Sequence, residues 1–198
     1  MNDPGLTSER ILDAAEDVLR RFGPAKATVV DVARALGVSH GSVYRHFPSK
    51  AALRDAVAER WLARVSAPLA DAAAAPGPAV ARLRRWFDLL IAIKRKKTRD
   101  DPELFATYYA LAIEARDVAA AHVEALIAQL AQIIGDGVGS GEFTVADPAA
   151  AALAVFDATA RFHNPIHAPE WADPRMDGAF EGVWSLVLRG LGAGINRT

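Results

Sequence analysis

A chain of 198 residues accommodates one ordinary domain, or a small domain joined to a larger one, and an apolar fraction of 52% supplies a sizeable core and argues against disorder. The net charge of -1 means that any affinity for nucleic acid comes from a local patch, and the absence of cysteine excludes disulfides, thiolate metal sites and cysteine nucleophiles. Met1-Asn2-Asp3-Pro4-Gly5 lacks the basic and apolar regions of a signal peptide, and no run approaches about 18 uncharged apolar residues, so the expectation is a cytoplasmic protein without membrane contact.

The first predicted helix starts at a Thr7 cap, carries Ile11, Leu12, Ala15, Val18, Leu19 and Phe22 at one-face spacing, and ends at Gly23-Pro24. Thr28 caps a second, with Asp31 three residues on completing a capping box and Val29, Val32, Ala33 and Leu36 as its buried stripe. Gly37 permits a left-handed turn, Ser39 caps a short third helix ending at Phe47-Pro48, and Ser49 caps a fourth running through Leu53, Val57, Trp61 and Leu62. A break rich in Ala, Pro and Gly is expected at Ala67–Ala79. Amphipathic segments follow at about Pro78–Lys97, Asp101–Glu114, Asp117–Ile134, Asp147–His163 and Gly178–Leu191. Asp101-Pro102 and Asp147-Pro148 read as caps followed by first-turn prolines. No strand-like alternation appears, and the fold class is all-α.

The run TVVDVARALGVSHGSVYRHF, Thr28–Phe47, places two capped helices around a tight Gly37-Val38-Ser39 turn, the pattern of a helix-turn-helix. Val43 and Phe47 turn inward. Ser39, His40, Gly41, Ser42 and Arg45 then make a small polar face suited to the edges of bases in a major groove. Thr28, Tyr44, His46 and Lys50 flank it where phosphates would lie. A solvated helical hairpin fits the same pattern. Local charge does not decide, because the chain up to Lys50 holds seven basic and six acidic residues.

From Ile11 to Leu53 the chain resembles the N-terminal domain of the tetracycline-repressor (TetR) family. The resemblance is carried by Ile11-Leu12-Asp13-Ala14-Ala15, Phe22-Gly23 and Thr28-Val29-Val30-Asp31-Val32-Ala33. It continues through Leu36-Gly37-Val38-Ser39, Gly41-Ser42-Val43-Tyr44, His46-Phe47 and Ser49-Lys50. It implies that Thr28, Tyr44 and Lys50 hold phosphates, that His40, Ser42 and Arg45 lie nearest the bases, and that Gly41 and His46 line the same surface. Arg45 departs from the aromatic or smaller polar residue common at its position, and reads a guanine or grips a phosphate. The resemblance further implies a three-helix DNA-binding domain at 1–48 and a larger domain for effector binding and dimerisation at 49–198, linked by the helix from 49 to about 66. The partners implied are double-stranded operator DNA, a small apolar or amphipathic effector and a second copy of the chain.

Lys94-Arg95-Lys96-Lys97-Thr98-Arg99 reads as a solvated helix end, with attraction to phosphate the alternative. His163 and His167 share i,i+4 spacing, but Pro165 intervenes and no third ligand is near, so no metal or cofactor is expected. Gly135, Gly137, Gly139 and Gly141 read as a helix stop and a loop. Trp86, Leu90, Phe105, Tyr108, Tyr109, His122 and Phe156 are core residues singly. Collectively the polar-tipped ones also suit a small-molecule pocket between helices, which the resemblance implies. Phe180, Val183, Trp184 and Val187, with small Ala154 and Ala158, fit an internal core or a dimer interface, and the resemblance favours the interface. No constellation supports catalysis, and a protein-binding helical adaptor is the remaining rival.

Overall fold

The computed structural model describes residues 5–193; Met1–Pro4, read above for a leader, lie outside them. The described residues form helices and the turns between them: α1 Ser8–Lys26, kinked at Gly23 (φ 74°) where the sequence placed its end, α2 Val29–Leu36, α3 His40–Tyr44, α4 Lys50–Ala74, α5 Ala79–Asp100, α6 Pro102–Glu114, α7 Arg116–Gly139, α8 Pro148–Ala158, α9 Ala160–His163, a 3-10 turn at Pro165–Glu170, and α10 Arg175–Gly190. No strand occurs among them.

Side chain–backbone hydrogen bonds fix most starts. Thr7 accepts from the Arg10 amide. Thr28 and Asp31 exchange both bonds of a capping box. Ser39 accepts from the Ser42 amide, Ser49 from Ala52, and Asp101 from Leu104. Asp147 accepts from the Ala149 and Ala150 amides. Each cap satisfies amides that the first helical turn leaves without an intrahelical partner.

Several ends differ from expectation. The break expected at Ala67–Ala79 shrinks, because α4 continues through Pro68 to Ala74; Pro68 lies on the exposed side, where a missing backbone donor costs least. α3 stops at Tyr44 rather than Phe47, leaving Arg45 at its C-cap and His46 in the following turn. α7 runs past Ile134 through three of the glycines read as a stop. Gly137 fits there because it is packed: a β-carbon on it would lie 2.8 Å from Ala79 Cβ and overlap the Phe143 ring. At 24 residues α7 is also long and apolar enough to cross a membrane by length and composition, which corrects the expectation that no segment is. Its buried side, Leu126, Leu130, Ile133 and Ile134, faces protein core. The segment expected as one helix at Asp147–His163 divides at Thr159, whose hydroxyl donates to the Val155 carbonyl at 2.8 Å.

Packing groups the chain into two compact units, Met1–Ala63 with Asp101–Ala121, and Arg64–Asp100 with His122–Thr198. The boundary expected at residue 48 falls inside the first unit. There Trp61 of α4 stacks on Tyr108 of α6 at 5.0 Å and meets Phe105 edge-on at 6.3 Å. Arg54 of α4 pairs with Glu114 of α6. Arg60 reaches Asp13 at 2.8 Å and Glu16 at 2.6 Å, tying α4 to α1. The core of this unit is Ile11, Val18, Leu19, Val32, Val43, Leu53 and Val57. The second unit is built around Leu83, Trp86, Phe87, Leu90, Leu130, Ile133, Phe162 and Phe180.

Candidate nucleic-acid interface and effector region

Gly37 closes α2 at φ 69°, and its amide donates back to the Ala33 and Arg34 carbonyls, so the chain reverses within three residues into the Ser39 cap. A residue with a β-carbon pays for that left-handed conformation, and glycine does not. Val43 is fully buried and anchors α3, while Ser39, His40, Gly41, Tyr44 and Arg45 are exposed and Ser42 is half-buried. Ser42 Oγ lies 3.0 Å from Ser39 Oγ and accepts from Arg45 Nη2 at 3.0 Å, so the three side chains form one hydrogen-bonded row along the outer face. The His40 ring meets Tyr44 edge-on at 6.3 Å. His46 Nδ1 lies 3.2 Å from Ser8 Oγ, a positioning contact from α1 that sequence reading missed, because nothing local relates residues 38 apart.

The flanking residues are also exposed. Thr28 uses its hydroxyl within the capping box, donating to Asp31, and this bond holds the Asp31 carboxyl below its usual range. Lys50 stands in the first turn of α4. The face therefore combines hydroxyls, two imidazoles, a phenol and two cations, groups that bond to base edges and phosphates.

The basic run contributes less cation than its sequence suggests. Arg95 pairs with Asp177 at 2.7 Å, Lys96 and Arg99 both pair with Asp100, and Lys94 is buried. Lys94 continues the stripe of Leu83, Phe87 and Leu90 at helical spacing, a signal present in the sequence but masked by the neighbouring charges.

The residues expected to receive an effector separate between the units. Phe105 and Tyr108 are buried in the first, with Tyr109 half-buried beside them on α6. Trp86, Leu90, His122 and Phe156 belong to the second. Trp86 Nε1 donates to Gln129 Oε1 at 2.9 Å. His163, first read only as half of a weak metal pair, is 4% exposed: its ring lies 4.5 Å from Phe156 and 6.3 Å from Phe87, and Nε2 approaches the Thr159 hydroxyl at 3.3 Å. His167 is engaged elsewhere, with Glu170 at 2.9 Å. Burial holds the His122 and His163 imidazoles down at about 4, and Lys94 at about 8.

The stripe expected to meet a second subunit is used internally in part. Phe180, Trp184 and Val187 are buried, with Phe180 edge-on to Phe162 at 5.1 Å and Trp184 6.4 Å from Phe87, so within one copy they pack into the core; Val183 is half-buried. Periodicity identified an apolar face without identifying its neighbour. Ala154 and Ala158 do face outward, together with Ala150 and a 48% exposed Leu153 on α8. On α10 the outward face holds Gly178, Gly182, Ser185 and a 62% exposed Leu186.

Comparison with known proteins matches residues 11–57 to the family described as bacterial regulatory proteins, tetR family, and residues 79–184 to the tetracyclin repressor-like C-terminal domain. A helix-turn-helix-type transcriptional regulator of Mycobacterium tuberculosis is 40% identical over 60 residues, 30% of each chain, so the match spans under a third of that relative. SmeT, the repressor of the Stenotrophomonas maltophilia multidrug efflux pump SmeDEF, shares the fold with a TM-score of 0.69 at 20% identity, over 96% of this chain and 92% of its own. RolR in complex with resorcinol aligns with a TM-score of 0.62 at 16% identity, over 94% of this chain and 88% of that one.

Proposed function

We propose, from the premise that this chain belongs to the TetR family of bacterial regulators, that it is a cytoplasmic repressor of transcription that binds operator DNA as a homodimer. The family is one of regulators, not enzymes. The observation that carries the reading is the exposed Ser39–Ser42–Arg45 row on α3, held rigid by the Gly37 turn and the buried Val43. A helix of five residues presents too few base contacts for useful specificity alone, which favours two copies reading a palindromic site. The small, apolar outward faces of α8 and α10 supply a surface for self-association, with Ala154, Ala158, Leu153 and Leu186 its central residues.

In this reading His40, Ser42 and Arg45 contact bases, and Thr28, Tyr44 and Lys50 contact phosphates, with Ser39, Gly41 and His46 along the same surface. A small apolar or amphipathic effector binds within residues 79–184 and favours a conformer whose reading helices no longer match successive major grooves. RolR with bound resorcinol shows that this fold receives such a molecule in another protein. Trp86, Leu90, His122 and Phe156, all in the second unit, are the proposed effector contacts.

Selection of bound DNA from a random library, using the full chain, tests the reading. An enriched inverted repeat is expected. Arg45→Ala should relax the preference at one position of each half-site, by about 1–3 kcal/mol, whereas Lys50→Ala should weaken all sequences alike. Failure to enrich any sequence would refute the repressor reading.

A further inference from the structure

The hydrogen-bonded row on α3 holds one guanidinium in place. Arg45 stands at the C-cap of α3 and is exposed, and its Nη2 donates to Ser42 Oγ at 3.0 Å. Ser42 Oγ lies 3.0 Å from Ser39 Oγ, which accepts from the Ser42 amide at 3.2 Å. The bonds thus run from the helix cap to the arginine through side chains three residues apart, which are neighbours on a helix. Nearby arginines are placed differently: Arg34 pairs with Asp31 at 3.0 Å, and Arg60 with Asp13 and Glu16. Arg45 has no carboxylate partner among the described residues, so Ser42 orients the guanidinium without neutralising it.

A guanidinium only donates hydrogen bonds, and one arm held by Ser42 leaves the rest of its planar fork free. Of the two hydroxyl protons in the row, one is taken up between Ser39 and Ser42 and the other stays available, so the row offers donors. Base edges in a major groove differ in what they require. Guanine shows two adjacent acceptors, N7 and O6. Adenine pairs an acceptor with a donor, thymine an acceptor with a methyl group, and cytosine shows a donor. A donor-only fork matches guanine alone in both of its bonds. A phosphate accepts such donors over a wide range of directions and needs no side chain to hold the fork in one plane. The Ser42 bond is therefore the feature that favours a base over the backbone.

We propose that Arg45 reads a guanine in each half-site of the operator and that Ser42 is the positioning residue that aims it. This deepens the operator reading above and rests on it. The test uses the full chain and the duplex that it selects from a random library, with 7-deazaguanine, which lacks the N7 acceptor, placed at each guanine in turn. At one position per half-site the replacement is expected to weaken binding at least about fivefold, and to leave the affinity of Arg45→Ala unchanged. Arg45→Lys keeps the charge but lacks the fork, so it should lose the guanine preference while the salt dependence stays that of the parent. Ser42→Ala should lose most of the preference, and Ser42→Thr, which keeps a hydroxyl, should retain it.

If Arg45→Ala weakens all sequences alike and lowers the salt slope by about one, Arg45 grips a phosphate and the proposal is overturned, while the enriched operator leaves the repressor reading standing. An operator in which no guanine responds to the replacement overturns it in the same way. A guanine preference unchanged in Ser42→Ala overturns the positioning role. If no sequence is enriched at all, the repressor reading falls and this proposal falls with it.

Discussion

His163 is buried beside the Phe87 and Phe156 rings as a neutral imidazole, and its protonation is linked to folding. The unfolded chain takes up a proton near the ordinary value of 6.5, whereas burial delays uptake in the folded chain to about 4. Between those values the unfolded state binds more protons, so stability is full above 6.5 and falls as pH drops toward 4. One such histidine costs roughly 1–2 kcal/mol between pH 7 and pH 5, and His122, shifted the same way, adds to it. Urea unfolding at the two pH values should show this loss, and His163→Gln should reduce it; an unchanged difference would mean that the ring is not held neutral. Gly137 makes a second residue-scale prediction. Gly137→Ala drives a methyl into the Phe143 ring and toward Ala79, and overpacking of this kind costs about 1–3 kcal/mol, visible as a lowered Tm. Neither role was legible in the sequence. The glycine looked like punctuation and the histidine like half of a metal pair, because the partners of both lie on other helices.

Helix starts were far more legible than helix ends. Thr7, Thr28 with Asp31, Ser39, Ser49, Asp101 and Asp147 all cap as their spacing predicts, since a cap is a contract between residues two or three apart. Pro68 and the glycines of α7 failed as stop signals because tertiary packing overrides local propensity. The amphipathic stripes found the core faces, but in α10 the face went to Phe87 and Phe162 instead of outward. Long-range ion pairs were invisible for the same reason. Arg60, largely buried, joins α4 to Asp13 and Glu16 of α1. Arg60→Leu should remove the cation that ties Asp13 and the half-buried Glu16 to α4 and destabilise the chain by about 1–3 kcal/mol. A denaturation midpoint equal to that of the parent would show the clamp to be ornamental.

Association and modularity belong to the whole molecule. Leu153 and Leu186 are large, exposed and surrounded by Ala and Gly, which permits close approach of helices from a second copy. Leu186→Glu and Ala154→Arg should each yield folded monomers by sedimentation, because neither touches the internal core, whereas Trp184→Arg should unfold the chain. A parent chain that is monomeric at micromolar concentration would rule out the dimer. The discontinuous first unit has a consequence for engineered regulators. Exchanging reading heads between relatives by cutting at residue 63 strands Trp61 and Arg54 without Tyr108 and Glu114, which lie 47 and 60 residues further along the chain, and a cut at 48 parts Arg60 from Asp13 and Glu16. A transplanted head that also carries 101–121 brings its own counterpart surface. Hybrids of the second kind should keep the melting temperature of their parents and those of the first kind should lose several degrees, so the unit of exchange is a pair of segments and not a prefix.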